Sequence, residues 1–228
     1  MTDRIDAEVG AEPTSARAGG TPEVTDVEPS DTAVFEGLTP PYSTIVADPP
    51  WQYTKVAGEQ HTRMGGRGMA ADRHYDTMTT ADVCALPVAN LAAPLAHLYV
   101  WVTNPKLRLG FDVMEAWGFT YQTTLTWVKV ASDGAVLRGG LGWYFRGATE
   151  HVLFGTRGKA GIPAALREPN VVMAQRSRHS AKPAEFFDLV QRVSPGPYAE
   201  LFARSQRFGW DAWGDEVAGP SPSQEALL

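Results

Sequence analysis

Asp48-Pro49-Pro50-Trp51 is a stretch whose residue types and spacing can do chemistry. The Asp48 carboxylate and the Pro49 carbonyl can both accept hydrogen bonds from one NH2 group, and neither proline brings a backbone N–H to compete. Two successive prolines also fix φ, so the acceptors are held still. The tetrad directly follows the apolar run Tyr42-Ser43-Thr44-Ile45-Val46-Ala47. Two acceptors at the end of an apolar strand, with an aromatic ring beside them, suit the exocyclic amine of a nucleobase, which predicts transfer of a methyl group to that amine. The bland alternative is a proline-stiffened strand exit whose Trp51 packs against the core.

The elements that position this tetrad follow from the pattern around it. Short apolar runs rich in β-branched and aromatic residues predict strands over 42–47, 97–103, 122–130, 150–155, 170–174 and 198–203. Helices are expected between them. One is capped by Thr79 or Thr80 and runs towards Leu91 with a break at Pro87. A second starts at Pro105 and ends before Gly118, with Leu107, Phe111 and Met114 on one face. A third runs from Lys182 to Val193, where Phe186, Leu189, Val190 and Val193 keep helical spacing until Ser194-Pro195-Gly196 stops it. Alternating strands and helices imply an α/β fold with a mostly parallel sheet and helices on both faces. Ligands of such sheets bind beyond the carboxyl ends of the strands, where Asp48, Asn104 and Arg204 are expected.

Composition frames this core. At 228 residues and 43% hydrophobic content, the chain suits one α/β domain with tails. Residues 1–37 carry nine acids and two bases, whereas 38–228 carry 17 acids and 18 bases, so most of the net charge of −6 belongs to the first segment. That segment is rich in Gly, Pro, Ser, Thr and acid, and is expected to be a disordered acidic tail. The methyltransferase domain is expected over 38–217, and 218–228 as a second flexible tail. Cys84 is the sole cysteine, so neither an intrachain disulfide nor a cysteine zinc cluster can form, and no His spacing with it suits a metal. The absence of an apolar run of membrane length or a leader-like start points to the cytoplasm and away from the membrane. Two basic stretches, 52–76 and 156–182, read as loops that contact phosphates or as ordinary solvated loops.

Across residues 42 to 216 the chain resembles the MT-A family of N6-adenine methyltransferases, the family of the catalytic subunit of the mRNA N6-methyladenosine writer, with bacterial and phage relatives. The motifs that carry the resemblance are Ala47-Asp48-Pro49-Pro50-Trp51, Tyr75-Asp76-Thr77-Met78, Trp101-Val102-Thr103, Trp127-Val128-Lys129, Thr149-Glu150-His151-Val152-Leu153-Phe154-Gly155, His179-Ser180-Ala181-Lys182-Pro183, Ser194-Pro195-Gly196, Glu200-Leu201-Phe202-Ala203-Arg204 and Trp213-Gly214. The resemblance implies a Rossmann-like fold that binds S-adenosylmethionine (S-adenosyl-L-methionine), permuted so that the catalytic motif precedes the cofactor strand.

It also implies residue roles. Asp48 and Pro49, backed by Pro50, would hold the target amine, with Trp51 and Tyr75 stacking on the base. Lys182, after His179 and Ser180 at the head of a helix, suits the carboxylate of the cofactor's methionine end. Glu150 would pair with Lys182 or touch the target base. Glu200 would accept from ribose hydroxyls and Arg204 would frame the pocket, although a charged pair flanking a buried strand is also a structural device. After Trp213-Gly214 this chain has Asp215 and Glu216 where a family member has side-chain amides; carboxylates accept from a ribose but cannot donate. His151 is read as a satisfied structural residue in preference to a general base.

Three other functions compete: a silent scaffold for an active partner, methylation of another amine such as cytosine N4 or a protein glutamine, and a dinucleotide-binding regulator. The intact tetrad argues against the first, the whole-chain resemblance against the second, and the lack of Gly-x-Gly-x-x-Gly after a strand against the third. The expected partner is nucleic acid, DNA ahead of RNA, with a homodimer or a partner subunit completing the surface.

Overall fold

The computed structural model describes residues 34–52, 77–138, 144–176 and 181–217. Among the described residues, seven strands form one sheet: β1 (Tyr42–Ala47), β2 (Ala92–Val102), β3 (Thr120–Val130), β4 (Thr149–Arg157), β5 (Val171–Gln175), β6 (Tyr198–Leu201) and β7 (Trp210–Trp213). Their spatial order is β5-β3-β4-β2-β1-β6-β7. All pairings are parallel except those of β4, which runs against both β2 and β3. The α-helices among the described residues are α1 (Thr80–Ala85), α2 (Leu107–Ala116) and α3 (Ala184–Val193). The α/β sheet inferred from the alternating pattern is observed, and it is consistent with the Rossmann-like fold that the resemblance implies.

β1 stops where it does because Pro49 and Pro50 have no N–H to extend a ladder. The chain then passes through α1 to β2 on one side of β1, and much later returns through α3 to β6 on its other side. Asp48 therefore sits at a topological switch point, the place where open α/β sheets form a crevice at their carboxyl edge. The two crossovers also divide the core. Val83 of α1 and Val113 and Met114 of α2 pack with Ile45, Leu98, Val100 and Leu153 on one face. Phe186, Phe187, Leu189, Val190 and Val193 of α3 pack with Val46, Tyr99, Trp101, Trp127 and Phe154 on the other.

Local chemistry sets the helix ends. Thr79 Oγ1 accepts from Asp82 N at 3.2 Å while Asp82 Oδ2 accepts from Thr79 N at 3.3 Å, a reciprocal cap at the start of α1. The helix is shorter than expected, since Leu86 precedes a proline and is turned to extended backbone; one 3-10 turn, Val88–Asn90, covers the rest. α3 begins at Ala184 with Pro183 as its cap, so Lys182 lies just before it and is not its first residue.

Four expectations are corrected. The buried stripe of α2 is Gly110, Val113 and Met114, and Phe111 is 38% exposed. A Cβ on Gly110 would meet Val102 Cγ1 at 2.5 Å, so the missing side chain lets the helix settle onto the sheet along that line. β2 starts five residues before His97, with Pro94 taken up in an irregular register against β1. β7 was not foreseen. Phe35, assigned to the tail by composition, is 2% exposed and packs edge-on against Trp213 at 5.0 Å, so the packed domain starts before residue 38. Residues 1–33 and 218–228, expected as tails, lie outside the described residues. Among the described residues no helix is long and apolar enough to cross a membrane.

Candidate active site

Period-two alternation brings the site together. On β1 and β6 the residues facing α3 are Val46 and Tyr198, so two positions on, Asp48 and Glu200 point to that same face. On β3 the sequence Leu125, Trp127, Lys129 keeps to it, and on β2 so do Tyr99 and Trp101. β4 is reversed, so its first residues, not its last, lie at the carboxyl edge, and Glu150 joins Val152 and Phe154 on the α3 face. A row Lys129, Glu150, Trp101, Asp48, Glu200 thus runs across five adjacent strands.

Lys182 closes the row from above. Its Nζ lies 3.0 Å from Asp48 Oδ2, 3.2 Å from Glu150 Oε2 and 4.9 Å from the centre of the Trp101 ring. Lys129 Nζ meets the other Glu150 oxygen at 2.6 Å and rests 5.0 Å above Trp127. Charges alternate along this chain, and the four side chains are 12–20% exposed. Burial alone would raise the Glu150 carboxyl; Lys182 and Lys129 more than offset that and hold it below its ordinary value. Burial would likewise lower the Lys182 ammonium, but Asp48 and Glu150 hold it above its ordinary value. Both groups are charged at neutral pH.

Glu200 is the contrast within the row. Arg207 Nε is 3.8 Å from its Oε2, and the guanidinium lies 3.6 Å over Phe187. Burial pushes the Glu200 carboxyl up to about 7; Arg207 and Lys182 pull it down and Asp48 pushes it further up. Arg207 Nε is buried with no hydrogen-bond partner. Arg204, expected at the tail of the strand, lies beyond its end, because β6 stops at Leu201 and Phe202 takes a positive φ of 60°. Arg207 is thus a cation that reaches Glu200, and it comes from beyond the strand.

The tetrad itself is braced rather than open. Trp51 N donates to the Pro49 carbonyl at 2.8 Å, Met78 N donates to the Pro50 carbonyl at 2.9 Å, and Gln52 N donates to the Met78 carbonyl at 3.2 Å. The Trp51 ring is 6% exposed in the α1–α2 core, and its indole N–H donates to the Trp101 carbonyl at 3.1 Å. With 6% of its surface exposed and its N–H bonded to β2, Trp51 has little ring left to offer a base. Lys182 takes one Asp48 oxygen and Trp51 N one lone pair of the Pro49 carbonyl, and a carboxylate and a carbonyl can each accept more than one hydrogen bond.

On the opposite face of β4, His151 follows the structural reading. Its Nε2 lies 2.7 Å from Asn104 Oδ1 and its Nδ1 3.2 Å from Thr126 Oγ1, contacts that suit a ring protonated on Nε2. Burial lowers its pKa, with Glu150 opposing. Asp215 and Glu216 are exposed in the turn after β7, at the carboxyl edge beyond β6; Gly214 precedes them because a Cβ there would strike the Ala203 backbone. Tyr75, His179 and Ser180 lie outside the described residues, as do 53–76 of the first basic loop. Of the second basic stretch, Arg157 belongs to β4 and donates to the Ala89 and Ala92 carbonyls at 2.5 and 3.2 Å, a structural role instead of a phosphate contact. Lys129 and Arg207 were not singled out as site residues. Lys129 was reachable from its spacing to Trp127, whereas Arg207 comes to Glu200 only by packing.

Comparison with known proteins places the chain in a family. The MT-A70 family pattern matches residues 42–216. A type II methyltransferase, M.MunI of a Mycoplasma species, is 30% identical over 205 residues, covering 85% of each chain. A putative N(6)-adenosine-methyltransferase MT-A70-like protein of Medicago truncatula is 30% identical over 82% of this chain, and the human N(6)-adenine-specific methyltransferase METTL4 is 27% identical over 77%. This chain spans 28% and 37% of those two longer proteins. With the match running from the first strand past the last, and a relative aligned along most of both chains, the protein belongs to the MT-A70 family of methyltransferases.

Proposed function

We propose that this protein transfers a methyl group from S-adenosylmethionine to the N6 amine of adenine in nucleic acid, with DNA as the favoured polymer. The observation that carries the reading is Asp48: a carboxylate at the switch point of the sheet, clamped on one oxygen by Lys182, with the adjacent Pro49 carbonyl oriented by a proline pair. The match to a type II methyltransferase along 85% of both chains favours DNA. RNA is the second reading, favoured by relatives described as adenosine methyltransferases.

The residues at hand fit the cofactor. Burial raises the Glu200 carboxyl to about 7, and Arg207 Nε lacks an acceptor; a ribose diol and polar groups of a nucleoside answer both. Glu200 would hold the ribose, Arg204 would frame the pocket, and Lys182 with His179 and Ser180 would face the methionine carboxylate. Asp215 and Glu216 offer further acceptors at the rim. When bound, the cofactor supplies an electrophilic methyl on a positively charged sulfur.

The protein's own task is the amine. Adenine N6 is a poor nucleophile because its lone pair is delocalised into the ring. Asp48 accepts one N–H and Pro49 the other, which turns the lone pair out of conjugation and aims it. Lys182 keeps the Asp48 carboxylate in place, and Glu150 and Lys129 keep Lys182 in place. The proton that N6 sheds goes to Asp48 or to solvent. Tyr75 is proposed as the ring that stacks on the base, since Trp51 is committed to the core.

The test is transfer of labelled methyl to matched single- and double-stranded DNA and RNA, with nucleosides analysed after digestion. N6-methyladenine in wild type and its loss in Asp48→Ala is the expected result. A wild-type protein that binds the cofactor and labels no polymer, alone or with a partner subunit, would overturn the catalytic reading in favour of a scaffold.

A further inference from the structure

The loop between β3 and β4 leaves the sheet at the same edge as Asp48, because β3 ends there at Val130 and β4 begins there at Thr149. Its first limb folds back on itself: Ala135 N donates to Asp133 Oδ1 at 3.0 Å and Val136 bridges Val130. Its two limbs are tied by Arg146, whose guanidinium donates to the Arg138 carbonyl at 3.3 Å. On this loop Tyr144 and Phe145 are 95% and 90% exposed.

Two adjacent aromatic rings left almost wholly in water contribute nothing to the core and invite association, so their exposure needs a use. Phe208 is comparably exposed at 89%, but it lies just before β7 begins, at the far, amino edge of the sheet. Tyr144 and Phe145 are at the edge where the target amine is presented, and both arginines beside them are exposed. The Asp133 carboxylate nearby is taken up in its own turn. In a chain of net charge −6, an exposed pair of rings framed by two guanidinium groups is a local positive, aromatic surface. That combination is how proteins hold unpaired nucleic acid: rings stack on bases in a sequence-tolerant way while cations meet the phosphates.

We propose that Tyr144 and Phe145 stack on unpaired bases flanking the target adenine, with Arg138 and Arg146 against the adjoining phosphates. The surface engages single-stranded nucleic acid, including the strand opened around an extruded base. This rests on the adenine-methylating reading above and names the surface that reading lacks.

The experiment pairs two readouts on the full chain: fluorescence anisotropy with a short adenine-containing single-stranded DNA, and steady-state methyl transfer to the same DNA and to its RNA counterpart. Each ring replaced by alanine, Tyr144→Ala or Phe145→Ala, raises Kd and KM roughly tenfold, with kcat and cofactor binding unchanged. Tyr144→Trp and Phe145→Trp restore affinity, which a mere folding defect cannot do. Arg138→Gln with Arg146→Gln flattens the salt dependence of binding. Wild-type Kd and KM in the alanine variants overturn the proposal. So does loss of a dimer on sedimentation with DNA affinity intact, which assigns the loop to contacts between copies. A wild-type protein that binds the DNA through these rings yet transfers no methyl leaves this surface standing and removes the catalytic reading instead.

Discussion

Glu150 and His151 are neighbours in sequence and occupy opposite faces of the same strand. Glu150 faces α3, sits between two lysines and is held below its ordinary pKa. His151 faces the other side, is hydrogen-bonded to Asn104 and Thr126, and meets the row only through the Glu150 charge, which opposes the lowering of its pKa by burial. Both are the residue types that catalysis uses. The difference teaches that, at a sheet edge, the face a residue takes decides whether it joins the chemistry or the scaffold. Strand alternation makes that assignment, and residue type does not.

The sharpest way to break this contrast is at the centre of the α3 face. Asp48→Ala should cut methyl transfer by roughly 10³-fold or more, with the far-ultraviolet spectrum unchanged; comparable activity in the variant sinks the assignment. Next comes Lys182→Met, which leaves two poorly solvated carboxylates facing each other. A loss of about 3 kcal/mol in denaturant unfolding is expected, and Asp48→Asn in the same background should recover part of it.

Glu200 sharpens the comparison by pH. Its carboxyl is raised in the folded state to about 7 from an ordinary 4.5, so the folded protein holds this proton more tightly than the unfolded chain. Stability then falls as pH rises through the window from 4.5 to 7, and the full penalty applies above it. Glu200→Gln should remove that slope and stabilise the protein by roughly 2 kcal/mol above neutrality, read as Tm across pH. The histidines act with the opposite sign. His151 and buried His97 are lowered from 6.5, so their contribution is lost as pH falls through that value.

The smallest effect is expected across the strand. His151→Gln should cost about 1 kcal/mol of stability through two hydrogen bonds and leave the pH dependence of kcat unmoved. A lost titration limb would make His151 a base and erase the contrast between the two faces.

Much of this was legible beforehand for identifiable reasons. β1 and its stop were plain, since an apolar run followed by two prolines has one reading. α3 was plain because four apolar residues repeat at helical spacing. Lys182 and Glu150 were legible as a possible pair, and they do meet. The stripe of α2 was misread because Gly110, a poor core residue by type, is buried through closeness of approach. β7 escaped because four residues holding two tryptophans and an aspartate look like neither strand nor helix until β6 supplies a partner.

By itself, then, the sequence determined what is local and periodic: the fixed acceptors of Asp48 and Pro49, the strand and helix alternation, and the division between an acidic first segment and a near-neutral remainder. Only the tertiary structure decided that β4 runs backwards and so delivers Glu150 to the carboxyl edge, that Trp51 is spent on the core, and that Arg207 stands by Glu200. These are matters of pairing direction, burial and approach between distant segments. They are set by competition for shared space, which no run of neighbouring residues encodes.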